Sequence, residues 1–286
     1  MAATLIALAM LYAAFAAFAH LAADRLIFPA PRPSYDARRL GVSTVAAEDG
    51  ARIAVLHLAN PAARHTVLYS HGNGEDLGMA LPGLEALHRA GFAVVAYDYR
   101  GYGASEGGPA TTRGVLRDAE AVYRHVVGPL GVDPSRVIVY GYSVGSGPAV
   151  HLAARVPVAG LVVENGFVSA FRVLTRAALL PFDRFPNLRD IRRVRVPVLV
   201  IHGEQDRVVP VWHGRRLFEA APGPKDSLWV EGAGHTDVAA VAGARYTGAL
   251  RAFAGRIGGE APARPRRRVR LPSLSISITR LPPEDR

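Results

Sequence analysis

Three side chains whose chemistry fits together occur along the chain in the order Ser143, Asp206 and His235. A serine hydroxyl becomes a nucleophile when a base takes its proton and an acid orients and charge-balances that base. Ser143 is the centre of Gly141-Tyr142-Ser143-Val144-Gly145. Between a strand and a helix, a G-x-S-x-G turn holds its Ser in a strained conformation with the hydroxyl above the sheet, and the flanking Gly residues leave room for it. Such a pentapeptide also occurs by chance as an ordinary Gly-rich turn. Here the flanks favour the nucleophile: residues 136–140 have strand composition, and residues 147–155 carry Ala, Val and Leu at helical spacing.

The expected base is His235, which among the ten histidines alone lies in a Gly-rich loop after the last expected strand. His71 and His202 each directly precede a Gly at a strand end and read as structural residues that bond the loops they begin. Asp206, in the loop after the strand ending at Ile201, is the expected acid. Glu204 and Asp237 lie near the same loops, Asp237 as the expected cap of the following helix.

Attack on a carbonyl develops an oxyanion, and each preorganised N–H donor that meets it is worth ~3 kcal/mol. The backbone N–H groups of Val144, at the start of a helix, and of Asn73, in the His71-Gly72-Asn73-Gly74 turn, are the expected donors. Residues 98–103 are expected to brace the loop beneath the site. The chain has no Cys, which excludes disulfides, thiolate metal sites and a cysteine nucleophile. No cofactor and no metal is called for.

These residues need a sheet. Residues 42–46 and 52–58 read as a hairpin through an Asp-Gly turn. Residues 66–70, 92–97, 136–140, 158–163, 196–201 and 227–230 read as further strands, and residues 77–89, 111–127 and 147–155 as helices between them. The expected fold is α/β, a mostly parallel mixed sheet with helices on both faces. Alternation stops between Gly166 and Arg195, where Phe167, Phe171, Phe182 and Phe185 stand among Pro and Arg. This stretch is read as a short lid insertion at the strand ends, with simple packing as the alternative.

Residues 2–23 carry no formal charge and meet the ~20-residue length of a membrane-crossing helix. No positive n-region precedes them, which favours an uncleaved anchor over a signal peptide. Arg25, Arg32, Arg38 and Arg39 all follow the segment, a bias that places the domain in the cytoplasm. Pro29, Pro31 and Pro33 suggest a stiff linker leading away from the membrane. The expected organisation is an anchor over residues 1–27, a hydrolytic domain over 28–256 and a basic, disordered tail over 257–286. The net charge of +10 over 286 residues owes much to Arg264, Arg266, Arg267, Arg268 and Arg270 in that tail. No aromatic-studded basic face accompanies it, so a nucleic-acid partner is not expected.

Several stretches together resemble the α/β-hydrolase superfamily and, within it, the Bem46-like serine hydrolases. They include Leu68-Tyr69-Ser70-His71-Gly72-Asn73, Tyr97-Asp98-Tyr99-Arg100-Gly101-Tyr102-Gly103, Val139 to Gly145, Phe182-Asp183-Arg184-Phe185-Pro186-Asn187 and Leu228 to His235. The superfamily resemblance covers residues 28–253, and within it the chain resembles the membrane-associated α/β-hydrolase-domain proteins that depalmitoylate proteins. The resemblance implies a serine esterase or thioesterase acting on acyl substrates, lipid or acylated protein, near a membrane. One departure is that those proteins carry a lipidated Cys-rich N-terminus, where this chain has an apolar run. Two other classes compete. A peptidase would need an acidic anchor for an N-terminal amine, for which Glu164 is the candidate, and a non-catalytic binding protein would have lost one of the three site residues.

Overall fold

The computed structural model describes residues 1–257, so the expected basic tail, apart from Ile257, lies outside the described residues. Eight strands form one sheet: β1 (Ser43–Ala46), β2 (Arg52–Leu58), β3 (Thr66–Ser70), β4 (Ala93–Tyr97), β5 (Val137–Tyr142), β6 (Gly160–Glu164), β7 (Val198–Gly203) and β8 (Lys225–Val230). Their spatial order is β1-β2-β4-β3-β5-β6-β7-β8. β2 runs antiparallel to both β1 and β4, and every later pairing is parallel. The helices are α1 (Ala2–Ile27), α2 (Ala37–Leu40), α3 (Leu77–Arg89), α4 (Thr112–Val127), α5 (Ser146–Ala153), α6 (Ala170–Thr175), α7 (Asn187–Asp190), α8 (Trp212–Ala220), α9 (Val238–Ala242) and α10 (Ala244–Ile257).

The central strands read as continuous apolar runs because both their faces are covered. Along β4, Val95 and Tyr97 enter one core while Val94 and Ala96 enter the other, as a period of two requires. α4, α5 and α8 close the first core with Val115, Val122, Val150 and Leu217. α3, α9 and α10 close the second with Leu84, Val238 and Phe253. Side-chain caps set two of the helix starts: Asp76 accepts from the Met79 N–H at 3.0 Å and Thr111 from the Gly114 N–H at 3.0 Å. The Asp-Gly turn is present, with Gly50 at φ 84°. It is tied to the body by Arg100, which bridges Asp49 (2.8 Å) and the fully buried Asp118 (2.7 Å).

Two expectations change. The Pro-rich segment does not lead away from the domain but is laid along it. Phe28 is buried against Tyr99 and Phe185, Ser34 donates to Asp76, and the Tyr35 hydroxyl donates to Asp98. Prolines hold the backbone extended without leaving N–H donors unpaired, which suits a strap across a surface. The insertion between β6 and β7 also splits in two. Phe167 and Phe185 are core residues, whereas Phe171 and Phe182 are half-buried in its outer part. Composition alone could not separate them, since all four are aromatic residues in an irregular segment.

α1 is apolar enough and long enough to cross a membrane, with a mean hydropathy of 2.1. It touches the domain through the Tyr12 hydroxyl, which donates to the Leu179 carbonyl (3.0 Å), and through its C-terminal half. Ala23 is buried, and the Asp24 carboxylate accepts from the Thr112 hydroxyl (2.6 Å) and N–H (3.2 Å) at the start of α4.

Candidate active site

Four strand ends converge on the site. β5 delivers Ser143, β7 the loop to Asp206, β8 the loop to His235, and β3 the turn holding Asn73. Ser143 sits at φ 52°, a left-handed conformation that only the surrounding chain can impose on a non-glycine residue. Its neighbours show why small residues flank it. A Cβ on Gly141 would meet the Gly145 carbonyl oxygen at 2.3 Å, and one on Gly145 would meet the Ser70 oxygen at 2.0 Å. The second contact also presses the turn carrying Ser143 against the His71–Gly74 turn, consistent with Ser70 and Gly141 being register partners in β3 and β5.

The structure brings Ser143, His235 and Asp206 together. His235 Nε2 lies 2.9 Å from Ser143 Oγ, and its Nδ1 lies 2.6 Å from Asp206 Oδ2. With Nδ1–H donating to the carboxylate, Nε2 is left to accept the serine proton. The other Asp206 oxygen accepts from the N–H groups of Val208 (2.8 Å) and Val209 (2.7 Å), which fixes the plane of the carboxylate. Ser143 is 8% exposed and Asp206 5%, so the relay is recessed from solvent at its acid end and reachable only at its mouth.

The competing acids are occupied elsewhere. Glu204 pairs with Arg215 at 2.9 Å. Asp237 stands at the N-terminus of α9 but makes no cap bond there; instead it accepts from the Gly234 N–H at 2.7 Å and closes the turn that presents His235. The cap expected of Asp237 is therefore corrected, because the tight turn three residues earlier offers its carboxylate a nearer donor. His71 and His202 bond the loops they begin, through Nδ1 to the Gly72 carbonyl (2.7 Å) and Nε2 to the Val209 carbonyl (2.8 Å). Burial pushes both rings below the usual histidine range.

Beneath the turn of Asn73, residues 98–103 act as a brace. Tyr99 donates to the His71 carbonyl (2.6 Å), Tyr102 to the Asn73 carbonyl (2.8 Å), and Asp98 accepts from the Leu77 N–H (2.8 Å). Burial pushes the Asp98 carboxyl up to about 7. Val144 follows Ser143 in the short turn Ser143–Gly145 that leads into α5, beside the Asn73 turn.

Two residues that sequence reading left aside hold the loop of His235. Asn165, fully buried at φ 46°, donates its amide N–H to the His235 carbonyl (2.6 Å) and accepts from the Gly203 N–H (3.0 Å). It thus ties the loop of His235 to the strand that leads to Asp206. Tyr142 donates to the same carbonyl at 3.0 Å. The available signal was an Asn-Gly pair directly after an apolar strand, since Asn tolerates a positive φ better than most residues. Glu164, the candidate amine anchor, is buried and accepts from the hydroxyls of Tyr140 and Tyr246. Burial raises its carboxyl above the usual range, and both hydroxyls hold it within the second core rather than at the mouth of the site.

Comparison with known proteins agrees with this architecture. Residues 61–181 match the family described as serine aminopeptidase, S33. The chain is 41% identical over 194 residues to human alpha/beta hydrolase domain-containing protein 17B, covering 66% of this chain and 67% of that protein. It is 39% identical over 182 residues to mouse alpha/beta hydrolase domain-containing protein 17C, covering 62% of this chain and 56% of that one. Among solved structures, an esterase of Pyrococcus furiosus, Pf2001, superposes with a TM-score of 0.68 at 21% identity, over 81% of this chain and 99% of that one. The chain belongs to the α/β-hydrolase superfamily, close to the alpha/beta hydrolase domain-containing protein 17 group.

Proposed function

We propose that this hydrolase is a serine esterase or thioesterase acting on acyl substrates at a membrane, with Ser143 as nucleophile, His235 as base and Asp206 as its orienting acid. The observation that carries the reading is the unbroken hydrogen-bonded line from Asp206 through His235 to Ser143 on a strained turn. In this mechanism Ser143 Oγ attacks the acyl carbonyl while its proton passes to His235 Nε2. Asp206 stabilises the imidazolium without taking its proton. The N–H groups of Val144 and Asn73 receive the oxyanion. Collapse expels the alcohol or thiol, which takes the proton from His235, and leaves an acyl group on Ser143. Water, activated by the same base, then releases the acid and restores the serine.

The acyl and membrane parts of the proposal rest on α1, on the apolar insertion after β6 and on similarity to the depalmitoylating hydrolases. The Arg residues after α1 support a cytoplasmic domain. The domain limits proposed are 1–27 for the anchor and 28–256 for the hydrolase, with Phe28 in the core. A peptidase reading has the matched family's description in its favour, but Glu164, the carboxylate it would use, is engaged by two tyrosines.

The test is a series of p-nitrophenyl esters and acyl thioesters of rising chain length, beside aminoacyl amides. Each methylene buried in an acyl groove adds up to ~0.8 kcal/mol, so kcat/KM is expected to rise from acetyl to at least octanoyl, with thioesters cleaved as well. A maximum at acetyl, or amides cleaved faster than any ester, would reject the acyl reading and favour the peptidase.

A further inference from the structure

The segment that carries Asn73 is held at both ends by one buried carboxylate. Asp98 is fully buried. Its Oδ1 accepts from the Leu77 N–H at 2.8 Å and lies 3.5 Å from His71 Nε2. His71 starts the segment directly after β3, Leu77 opens α3 at its far end, and Asn73 stands between them. One oxygen therefore faces both ends of the loop.

The orientation of that carboxylate is set by the strap that follows α1. The Tyr35 hydroxyl donates to Asp98 Oδ2 at 2.5 Å and accepts from the Ala104 N–H at 3.1 Å. A carboxylate whose two oxygens are bound to different partners cannot turn without breaking one of those bonds. The fit around Tyr35 is close. A Cβ on Gly103, which sits at φ 47°, would stand 2.8 Å from the hydroxyl, and one on Gly78 would stand 2.9 Å from the Tyr35 Cβ. Glycine at both positions lets the strap lie against α3 and against the brace. Packing alone does not call for a tyrosine here, since the ring is half-buried and phenylalanine would fill the same space.

We propose that Tyr35 is a positioning residue for catalysis: through Asp98 it sets the place of the 71–77 segment, and with it the Asn73 N–H that receives the oxyanion. The strap leaves α1 directly, so the stretch of chain that begins at the anchor also holds the donor side of the site. Ser34 supplies the contrast. Its N–H (2.6 Å) and hydroxyl (2.5 Å) donate to Asp76, so it fastens the same strap through a different carboxylate. This inference rests on the serine-hydrolase reading given above.

Tyr35→Phe, which removes one oxygen and keeps the ring, and Ser34→Ala are each made in the full-length protein in detergent. Both are compared with the wild type and with Ser143→Ala on p-nitrophenyl butyrate. Acylation and deacylation each pass through an oxyanion, so a displaced donor slows both. In Tyr35→Phe, kcat is expected to fall about tenfold with KM within about twofold of the wild type. Ser34→Ala should keep the wild-type kcat, although the melting temperature falls in both variants. A trifluoromethyl ketone gives a second readout: Ser143 Oγ adds to its carbonyl carbon, the serine proton passes to His235, and the carbonyl oxygen becomes a lasting oxyanion. Its inhibition constant should rise in Tyr35→Phe by the factor that kcat falls and stay unchanged in Ser34→Ala. A wild-type kcat in Tyr35→Phe, or an equal fall in Ser34→Ala, would make the strap structural only and overturn the inference while leaving the triad reading intact. A wild type that turns over no ester, or turnover that survives Ser143→Ala, would reject both.

Discussion

Removing one oxygen at position 143 separates chemistry from fold. Ser143→Ala keeps a small side chain in the strained turn, so turnover of p-nitrophenyl esters is expected to fall by roughly 10⁴-fold or more with an unchanged circular dichroism spectrum. His235→Ala should lose as much, and the double variant little more, because the proposed residues act as one unit. At the acid position, Asp206→Asn should lose activity and Asp237→Asn keep most of it; the reverse would reassign the acid. Asn165 offers a finer test of how the base is held. Asn165→Asp retains an acceptor for the Gly203 N–H but turns an acceptor toward the His235 carbonyl. A fall in kcat of about tenfold with KM little changed is expected, alongside a stability loss of about 1–3 kcal/mol. An unchanged kcat with the same stability loss would make Asn165 structural only. Ser143, Asp206 and His235 stood out in the sequence because each sits in a loop after a strand. Asn165 did not, because its role is a carbonyl 70 residues away in sequence, and no local pattern records such a partner.

Among the elements, the strands were the most legible. Their β-branched runs mark both buried faces of a parallel sheet, and differences from expectation are confined to strand ends, where hydrogen bonding rather than hydrophobicity decides the boundary. The segments linking helix α1 to the domain were less legible. A Pro-rich strap and a free Pro linker have the same composition, and only the distant partners of Ser34 and Tyr35 distinguish them. This changes what truncation should do. Removing residues 1–11 takes away only exposed turns of α1, whereas removing 1–27 also strips Tyr12 from Leu179 and Asp24 from the start of α4 and releases Arg184. Losing such a cap costs about 1 kcal/mol. Both truncations should hydrolyse short soluble esters, but the longer one should melt at a lower temperature. Equal melting temperatures would show that the docked half of α1 contributes nothing to the domain.

For the molecule as a whole, buried histidines set an acid limit. His213 is fully buried, its Nδ1 accepting from the Val168 N–H at 3.2 Å. Burial, with His202 and Arg172 nearby, pushes its ring down to about 4. Between that value and the usual ~6.5 the unfolded chain binds a proton that the folded chain refuses. Stability from this group is therefore present above ~6.5 and is lost as pH falls toward 4, by up to about 3 kcal/mol. Asp98 acts in the opposite sense. Its raised carboxyl holds a proton in the folded state up to about 7, so its contribution declines as pH rises through the same window. A His213→Asn variant, which keeps an acceptor for Val168, isolates the first effect: its thermal midpoint should drop less than that of the wild type between pH 7 and pH 5. Equal drops would mean that this ring does not set the acid limit.

The central claim is that Ser143 carries the acyl group during turnover, and covalent labelling addresses it most directly. The full-length protein in detergent is treated with a fluorophosphonate, with and without Ser143→Ala, and the adduct is located by mass spectrometry of the digested chain. The account predicts one adduct, on the peptide containing Ser143, absent from the variant and suppressed by prior incubation with a slowly hydrolysed acyl ester. Labelling that persists in Ser143→Ala, or a wild-type protein that hydrolyses esters without ever being labelled, would contradict it.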